Sequence, residues 1–406
     1  MPLRGLERIE KPMRILHIIG TLNPEAGGPT ESVRVLLSYG PIGYTGEVVT
    51  LDDPSAPYLN DFEFPIHALG PVNSTYGFNS RLLPWLRANR HRFDGVVVNG
   101  LWQYCGYAAW RALAGNTPYV VFTHGMLDPY FRHAFPLKHI KKWLYWVPFE
   151  YWVLRGAYRV LFTSRAEKRL AEQSFFLHRW NPYVVPYGAS GPTGNPETLK
   201  EAFFERCPSV RGKRFLVFLG RIHRKKGCDM LIDAFAKAAA KDPDLDLVMA
   251  GPDQQLWSEK LKQTAAAAGI THRVHWPGML KGDAKWGAFF ASEAFILPSH
   301  QENFGIAVAE ALACGIPVLL ADKVNIAEDI AEDGAGLMEL DTPAGTLALI
   351  ERWIALTPDE RRLMVKRSRE CYDRRYNMRE NAKAIIRLFE TATVASADRF
   401  ELQQHS

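Results

Sequence analysis

The sequence has little of what would build a disulfide scaffold, a zinc site or a membrane span. Its five cysteines, Cys105, Cys207, Cys228, Cys314 and Cys371, are scattered with no C-x-x-C pair and no flanking histidines. Neither a disulfide framework nor a Cys/His metal centre is indicated, and a reducing, cytoplasmic setting is expected. No uninterrupted apolar run reaches the roughly 18 residues of a transmembrane helix. The opening MPLRGLERIEKPMR carries charge throughout and has no apolar signal-peptide core. Strong charge of one sign is lacking too. Lys and Arg number 49 against 44 Asp and Glu, a formal net charge of +5. This is too diffuse for nucleic acid, but it is compatible with small anionic substrates or an anionic membrane surface. There is no G-x-G-x-x-G dinucleotide fingerprint and no P-loop, so hydride transfer and ATP hydrolysis lose their main support. No D-x-D run sits in a recognisable metal-ligand pattern, and neither a metal nor another cofactor is expected.

What is present suits a chain of about two globular domains: 406 residues, 47% hydrophobic and 23% charged. Short β-rich runs, RILHII, EVVT, GVVVN, YVVFT, RVLFT and YVVP, alternate with longer, partly helical segments. That alternation predicts a parallel sheet wrapped by helices. The stretch from Gly188 to Thr198, rich in Gly, Pro, Ser and Thr, reads as a linker. The pattern then restarts with RFLVFLG, LDLVMAG, RVHWPG, AFILPS, PVLLAD and GLMEL. Two α/β, doubly wound Rossmann-like domains are predicted, 13–190 and 199–375, with ligand at the carboxyl ends of the strands and in a cleft between domains. From about Thr357 to Phe389 charged and apolar residues alternate at helical spacing, and beyond Thr391 a frayed tail is expected.

Several stretches carry candidate chemistry. In HQENFGIAVAEALACGIPVLLAD, from His300 to Asp322, Glu302 and Glu310 are separated by seven residues. Gly315 and Pro317 predict a helix running to Cys314, with Glu302 just before its N-terminus. At helical rise the two carboxylates stand roughly 12 Å apart, too far to share one reaction centre. They suit the two ends of one long, hydroxyl-rich ligand, with an anion at the helix N-terminus between them. The plainer alternative is two glutamates on an ordinary amphipathic helix.

FLGRIHRKKG places Arg221, Arg224, Lys225 and Lys226 between a strand and a helix. Arg221 and Lys226 are candidate diphosphate contacts, offsetting charge on a departing nucleotide; a solvated basic turn is the alternative. IIGTLNPEAGGPTES brings Gly20, Gly27 and Gly28 to a helix start, where backbone can approach a ligand or merely turn. His124 in VVFTHGMLDP follows a strand and is either a site residue or a satisfied structural histidine. Ser164 and Glu167 in FTSRAEKR read as a helix cap. From Phe131 to Arg159 the sequence interleaves Arg132, His133, Lys138, Lys141 and Lys142 with Trp143, Tyr145, Trp146, Tyr151 and Trp152. This is either an interfacial helix for an anionic membrane or a large aromatic core helix.

Taken together, ENFGIAVAEALACGIPV and FLGRIHRKKG resemble the E-x7-E motif and the G-R-x-x-x-x-K-G turn of the retaining nucleotide-sugar glycosyltransferases of family 4, which have the GT-B fold. The resemblance implies two Rossmann-like domains facing across a cleft: an N-terminal acceptor-side domain and a C-terminal donor-binding domain. It further implies that a C-terminal helix, about 376–395 here, packs back on the first domain. It gives Glu302 hydroxyls of the donor sugar, Glu310 the ribose, and the amides of Asn303, Phe304 and Gly305 the sugar and phosphate region. Arg221 and Lys226 would hold the diphosphate, Gly28 would approach it, and His124 would lie against the donor sugar, so His124 and Glu302 are the catalytic candidates. The implied reaction moves a hexose-type sugar, with retention and without an obligatory metal, from a nucleotide-diphosphate sugar to a glycan acceptor. A lipid-linked acceptor for a surface polysaccharide is expected, with peripheral contact to the inner face of the cell membrane. A nucleotide-sugar epimerase on a similar fold and a non-catalytic scaffold of a glycan assembly complex are the alternatives. Where the family often has a Gly-Gly pair, this chain reads Lys323-Val324-Asn325.

Overall fold

The fold is taken from a computed structural model that describes residues 12–38, 44–130, 132, 136–175, 177–185, 187–253 and 256–404, with backbone alone at 136, 138 and 393–404. Phe131 and His133 of the aromatic segment lie outside the described residues. The chain divides into two compact units, one reaching Tyr187 and resuming at Met378, the other running from Gly188 to Asn377.

The first unit holds seven parallel strands: β1 Met13–Ile19, β2 Tyr44–Thr50, β3 Ile66–Ala68, β4 Gly95–Asn99, β5 Tyr119–Phe122, β6 Arg159–Phe162 and β7 Pro182–Val184. Their order is β3-β2-β1-β4-β5-β6-β7. Every residue of β4, GVVVN, is buried, as expected of a β-branched run covered on both faces. Side chains alternate across the sheet. Leu16, Val96, Val98 and Val121 pack with Leu86, Ala108 and Ala112 on one side. Ile15, Val97, Val120 and Leu161 pack with Ile385, Leu388 and Phe389 on the other. The helix Met378–Gln404 thus seals one face of this sheet. Gly95 makes the approach possible, because a Cβ there would overlap the Phe389 ring.

The second unit has six parallel strands: β8 Arg214–Leu219, β9 Leu245–Ala250, β10 Val274–Gly278, β11 Ala294–Leu297, β12 Val318–Ala321 and β13 Gly336–Glu339. Their order is β10-β9-β8-β11-β12-β13. The helix Cys228–Ala238 buries Leu231, Ile232 and Phe235, and Phe215, Val217 and Phe295 have no exposed surface.

Some local expectations change. The stretch read as a linker contains the start of a helix, Pro196–Arg206, capped by the Asn195 side chain. The helical end breaks in two: Pro358–Cys371 runs through a π-helical turn at Tyr372–Tyr376, and the next helix begins at Met378. Instead of fraying after Thr391, the backbone stays helical to Gln404. In the aromatic segment the helix Pro136–Tyr145 meets a π-helical turn, Trp146–Glu150. Trp146 is fully buried, and Trp143 and Tyr151 pack on the core, while Leu137, Ile140, Leu144 and Val147 face outward. Most of its rings therefore serve the core, and an aliphatic edge is left exposed.

Candidate active site

The second sheet reverses its strand order between β8 and β11, the point at which open α/β sheets take ligands beyond their carboxyl ends. The basic turn leaves β8 there. Gly227 closes it with φ +66°, and a Cβ at this position would overlap the Pro298 carbonyl oxygen. The Lys225 carbonyl accepts from Ser299 Oγ and from the His300 amide, each at 3.0 Å, in the loop after β11. This stitching joins two segments distant in sequence and sets Lys226 in an ion pair with Glu302. Both side chains keep about a fifth or less of their surface, 16% and 20%.

Glu302 is fixed through its backbone as well. Its amide donates to Lys323 O and its carbonyl accepts from the Asn325 amide, each at 3.0 Å. The Asn325 side-chain amide donates to Asn303 Oδ1 at 3.3 Å. The Lys323-Val324-Asn325 segment, which departs from the family pattern, therefore clamps the loop that carries Glu302 and Asn303. Gly305 then takes φ +75° and leads into the helix Ile306–Ala313, one residue shorter than predicted because Cys314 is its cap. Phe304 is 4% exposed and packs edge-on against Tyr376 with ring centroids 5.7 Å apart, so only its backbone is available to a ligand. One to two turns further on, Glu310 pairs with Lys285 at 2.6 Å. Lys285 comes from the helix Gly282–Ala291, and no signal in GDAKWGAFFA singles it out. Arg221 is exposed and makes no hydrogen bond or ion pair to any described residue. The result is a row of two lysine-neutralised carboxylates with a spare guanidinium beside one of the two loops. Carboxylates of this kind accept from sugar hydroxyls, and the cations suit a diphosphate.

Gly28 and His124 belong to the first unit. Gly28 opens the helix Gly28–Ser38, and a Cβ built on it meets nothing within 4 Å, so the chain itself leaves room for a close approach. His124 follows β5 in the left-handed region, φ +50°, and Gly125 continues there at φ +73°. Its Nδ1 is hydrogen-bonded to Tyr187 OH, and Nε2 lies 3.4 Å from Asn99 Oδ1. The imidazole stacks on the Tyr187 ring, centroids 5.4 Å apart. Although the residue keeps some open surface, the surrounding atoms desolvate the ring and push its pKa down to about 3. A neutral imidazole at physiological pH can exchange hydrogen bonds with a hydroxyl.

The loop that holds His124 in this strained conformation is anchored by Glu167. Ser164 does cap its helix, accepting from the Glu167 amide at 3.0 Å. The Glu167 carboxylate, however, does not turn back to the cap. Oε1 accepts from Thr123 Oγ1 and the Gly125 amide, and Oε2 from the Thr163 amide and hydroxyl, all four at 2.6 Å. Sequence spacing identified the cap and missed this cross-strand role. Among the described residues no group of three or more His, Cys, Asp or Glu is placed to hold a metal ion.

Comparison with known proteins adds the following. The family model "Glycosyl transferases group 1" matches residues 200–371, and "Glycosyl transferase 4-like domain" matches residues 37–188. A lipopolysaccharide core biosynthesis mannosyltransferase of Rhizobium meliloti is 26% identical over 265 residues, covering 59% of this chain and 74% of the relative. A D-inositol 3-phosphate glycosyltransferase of Salinispora tropica is 29% identical over 193 residues, with 45% of this chain and 39% of the relative covered. The match thus spans less than half the length of that relative. The crystal structure of Anabaena HepE in complex with UDP and glucose superposes with TM-score 0.71 at 18% identity, covering 93% of this chain and 100% of the other. WaaG, a glycosyltransferase involved in lipopolysaccharide biosynthesis, gives TM-score 0.65 at 18% identity, with 92% and 99% covered. At such identities the structural likeness speaks for the fold. The two family models, which together take in most of the chain, and the two doubly wound sheets agree: the chain belongs to the group 1, family 4-type glycosyltransferases of the GT-B fold.

Proposed function

We propose that this protein transfers a hexose-type sugar, with retention of configuration, from a nucleotide-diphosphate sugar to a glycan acceptor in surface polysaccharide biosynthesis. The observation that carries the reading is the pairing of Lys226 with Glu302 and of Lys285 with Glu310 at the switch point of the second sheet, beside the unengaged Arg221. Arg221 and Lys226 hold the diphosphate, the backbone from Asn303 to Gly305 meets the sugar and phosphate region, Glu302 takes sugar hydroxyls and Glu310 the ribose. The C1–O bond to phosphate breaks while the acceptor oxygen bonds C1 on the same face. The leaving phosphate oxygen takes the acceptor proton, and the two cations stabilise the charge it develops. No metal is assigned a role. The neutral His124 imidazole orients a sugar hydroxyl, and Gly28 leaves space for a ligand.

The printed names of relatives support this choice. One is a lipopolysaccharide core mannosyltransferase, and HepE was solved with UDP-glucose, which puts UDP first among nucleotides to try. A lipid-linked acceptor and peripheral membrane contact are supported by the edge of the helix Pro136–Tyr145. There Leu137 (76% exposed) and Leu144 (75%) stand with exposed Lys141, an apolar stripe with basic company suited to an anionic interface. No helix among the described residues is long and apolar enough to cross a membrane.

The test is a thermal-shift screen of UDP, GDP, ADP and their sugar conjugates, with and without magnesium, followed by determination of the product anomer. One nucleotide raising the melting temperature, with the shift lost in Glu310→Ala, is the expected result. No shift with any nucleotide, or an inverted anomer, overturns the reading.

A further inference from the structure

The first sheet also reverses its order, between β1 and β4, and a pocket of about 410 Å³ opens beside that point. Its volume falls within the roughly 300–1,000 Å³ of small-molecule sites. The walls come from the carboxyl ends of neighbouring strands: Gly20 and Thr21 after β1, Asp52 and Asp53 after β2, Gln103 after β4. Asp52, only 7% exposed, organises the wall. It accepts from the Leu22 amide at 2.7 Å, from Thr21 Oγ1 at 2.5 Å, from Thr50 Oγ1 at 2.7 Å and from Tyr58 OH at 2.9 Å. With every one of these donors committed, the carboxylate fixes the loops after β1 and β2 in place.

Other lining groups are not committed. The Gln103 side-chain amide lies over Gly20, where a Cβ would crowd its Oε1 at 2.9 Å, and it hydrogen-bonds to no described residue. The Thr75 hydroxyl likewise has no described partner. Asp53 accepts from Ser55 through Oδ1, and its Oδ2 takes no bond from a described residue. None of the described residues that line the pocket is a lysine, arginine or histidine. The lining therefore offers hydroxyl, amide and carboxylate groups and an aromatic face at Tyr58, with no cation to balance an anion. Hydroxyl-rich ligands match such groups, whereas a phosphate would meet the buried Asp52 carboxylate and the exposed Asp53 carboxylate at the rim.

We infer that this pocket binds an uncharged, polyhydroxylated sugar ring, the accepting end of the glycan, and rejects phosphorylated sugars. Only the word accepting rests on the proposed transferase function; the binding chemistry stands on the pocket alone. By this reading the acceptor differs in charge from the inositol phosphate in the names of several relatives.

Ligand-observed NMR on the full chain tests this, using the methyl glycosides of glucose, mannose and galactose alongside the 6-phosphates of the three sugars. At least one neutral glycoside is expected to bind, and its 6-phosphate to bind at least about tenfold more weakly. Gln103→Ala and the surface variant Thr75→Val are each expected to weaken the neutral ligand about threefold to tenfold. Asp53→Lys, which replaces a rim anion with a cation, should reverse the preference toward the 6-phosphate. Equal or tighter binding of the 6-phosphates to the wild type, no binding of any neutral glycoside, or unchanged binding in both Gln103→Ala and Thr75→Val overturns the inference. A UDP thermal shift on the wild type separates the two readings. Glycoside binding without any nucleotide shift leaves the pocket standing and removes the transferase proposal. The converse removes the pocket and leaves the donor site.

Discussion

Replacing Glu167 with glutamine changes one atom's chemistry and leaves the volume almost untouched, which makes it a sharp test of how the His124 loop is held. Both carboxylate oxygens accept from a backbone amide, Oε1 from Gly125 and Oε2 from Thr163, at 2.6 Å each. The hydroxyls of Thr123 and Thr163 can rotate to accept instead of donate, but backbone N–H groups cannot. Whichever way the glutamine is flipped, its NH2 faces one of the two amides, so one charge-assisted bond is lost and a buried donor is stranded. Losing a bond to a charged group costs about 1.5–3 kcal/mol and stranding a donor about 1–3 kcal/mol. Because Glu167 is 3% exposed, water cannot repair the defect, and a total of roughly 3–5 kcal/mol is expected. The assay is urea unfolding followed by tryptophan fluorescence; seven of the eleven tryptophans, Trp85 to Trp180, lie in the first unit. At a slope of about 2–3 kcal/mol per molar urea the midpoint should fall by about 1–2 M. Because Gly125 is the residue after His124, the loss should also appear as faster amide exchange at 124–126. A midpoint shift smaller than about 0.3 M with unchanged slope would mean that this network does not hold the loop, and the positioning role of Glu167 would be withdrawn.

The remaining tests address charge. Arg221→Ala should leave the melting temperature of the free protein unchanged, since the exposed side chain makes no hydrogen bond or ion pair to any described residue, yet weaken UDP about tenfold or more by calorimetry; an affinity within about twofold of wild type removes Arg221 from the donor site. A double-mutant cycle of Lys285→Met and Glu310→Gln should give a coupling of about 1 kcal/mol, between surface and buried ion pairs, for side chains 23% and 12% exposed; a coupling near zero means that the pair does not form in solution. Burial pushes the Glu150 carboxyl from 4.5 up to about 8, and its Oε1 has no hydrogen-bond partner among the described residues. The folded state then keeps a proton that the unfolded chain has lost, so this group's contribution is whole below pH 4.5 and falls by up to about 1.4 kcal/mol per pH unit until pH 8. Glu150→Gln should remove that slope, seen in melting temperatures of variant minus wild type from about pH 5 to 8; a flat difference refutes the buried neutral carboxyl.

The sheets were legible because their strands are buried on both faces and so read as unbroken apolar runs, from GVVVN to PVLLAD. Only β3 escaped: its three residues, Ile66–Ala68, are all half-buried, and IHA has neither an apolar run nor the β-branched pair that marked the equally short β7. The turn chemistry was legible for the same local reason: Gly315 and Pro317 placed the end of the Glu310 helix to within one residue. Partners across the sequence were not. Lys285 and Glu302's clamp at Asn325 come from elsewhere in the chain, and a motif carries no information about which distant side chain will meet it. Glu167 shows the limit most clearly. Its spacing from Ser164 announced a cap, which formed through the backbone amide, while the carboxylate went to the ends of strands β5 and β6, where it accepts from the Gly125 and Thr163 amides. In the aromatic segment, periodicity revealed a stripe but not its orientation; Trp143, Trp146 and Tyr151 turned inward, while Leu137, Ile140, Leu144 and Val147, with Trp152, stayed exposed.

Four carboxylates near the strand ends of the two units are satisfied in two ways, and the difference carries chemical meaning. In the first, Asp52 and Glu167 are bound by uncharged amides and hydroxyls, so their negative charge is dispersed rather than cancelled. In the second, Glu302 and Glu310 each face a lysine. A carboxylate held by neutral donors still repels an anion, whereas one held by lysine presents a neutral pair whose cation can turn to phosphate when a ligand arrives. Switch points of the same 3-2-1-4 strand order thus offer opposite electrostatics. Under the proposed function the second suits a diphosphate that must lose its water to cations, and under the inference drawn for the first unit's pocket the first suits hydroxyls. Exchanging the neutral donors around Asp52 for a cation, as in Thr21→Lys, should therefore do more than perturb a loop: it should make the first unit's pocket tolerant of phosphate, the property that the lysine pairs give the second.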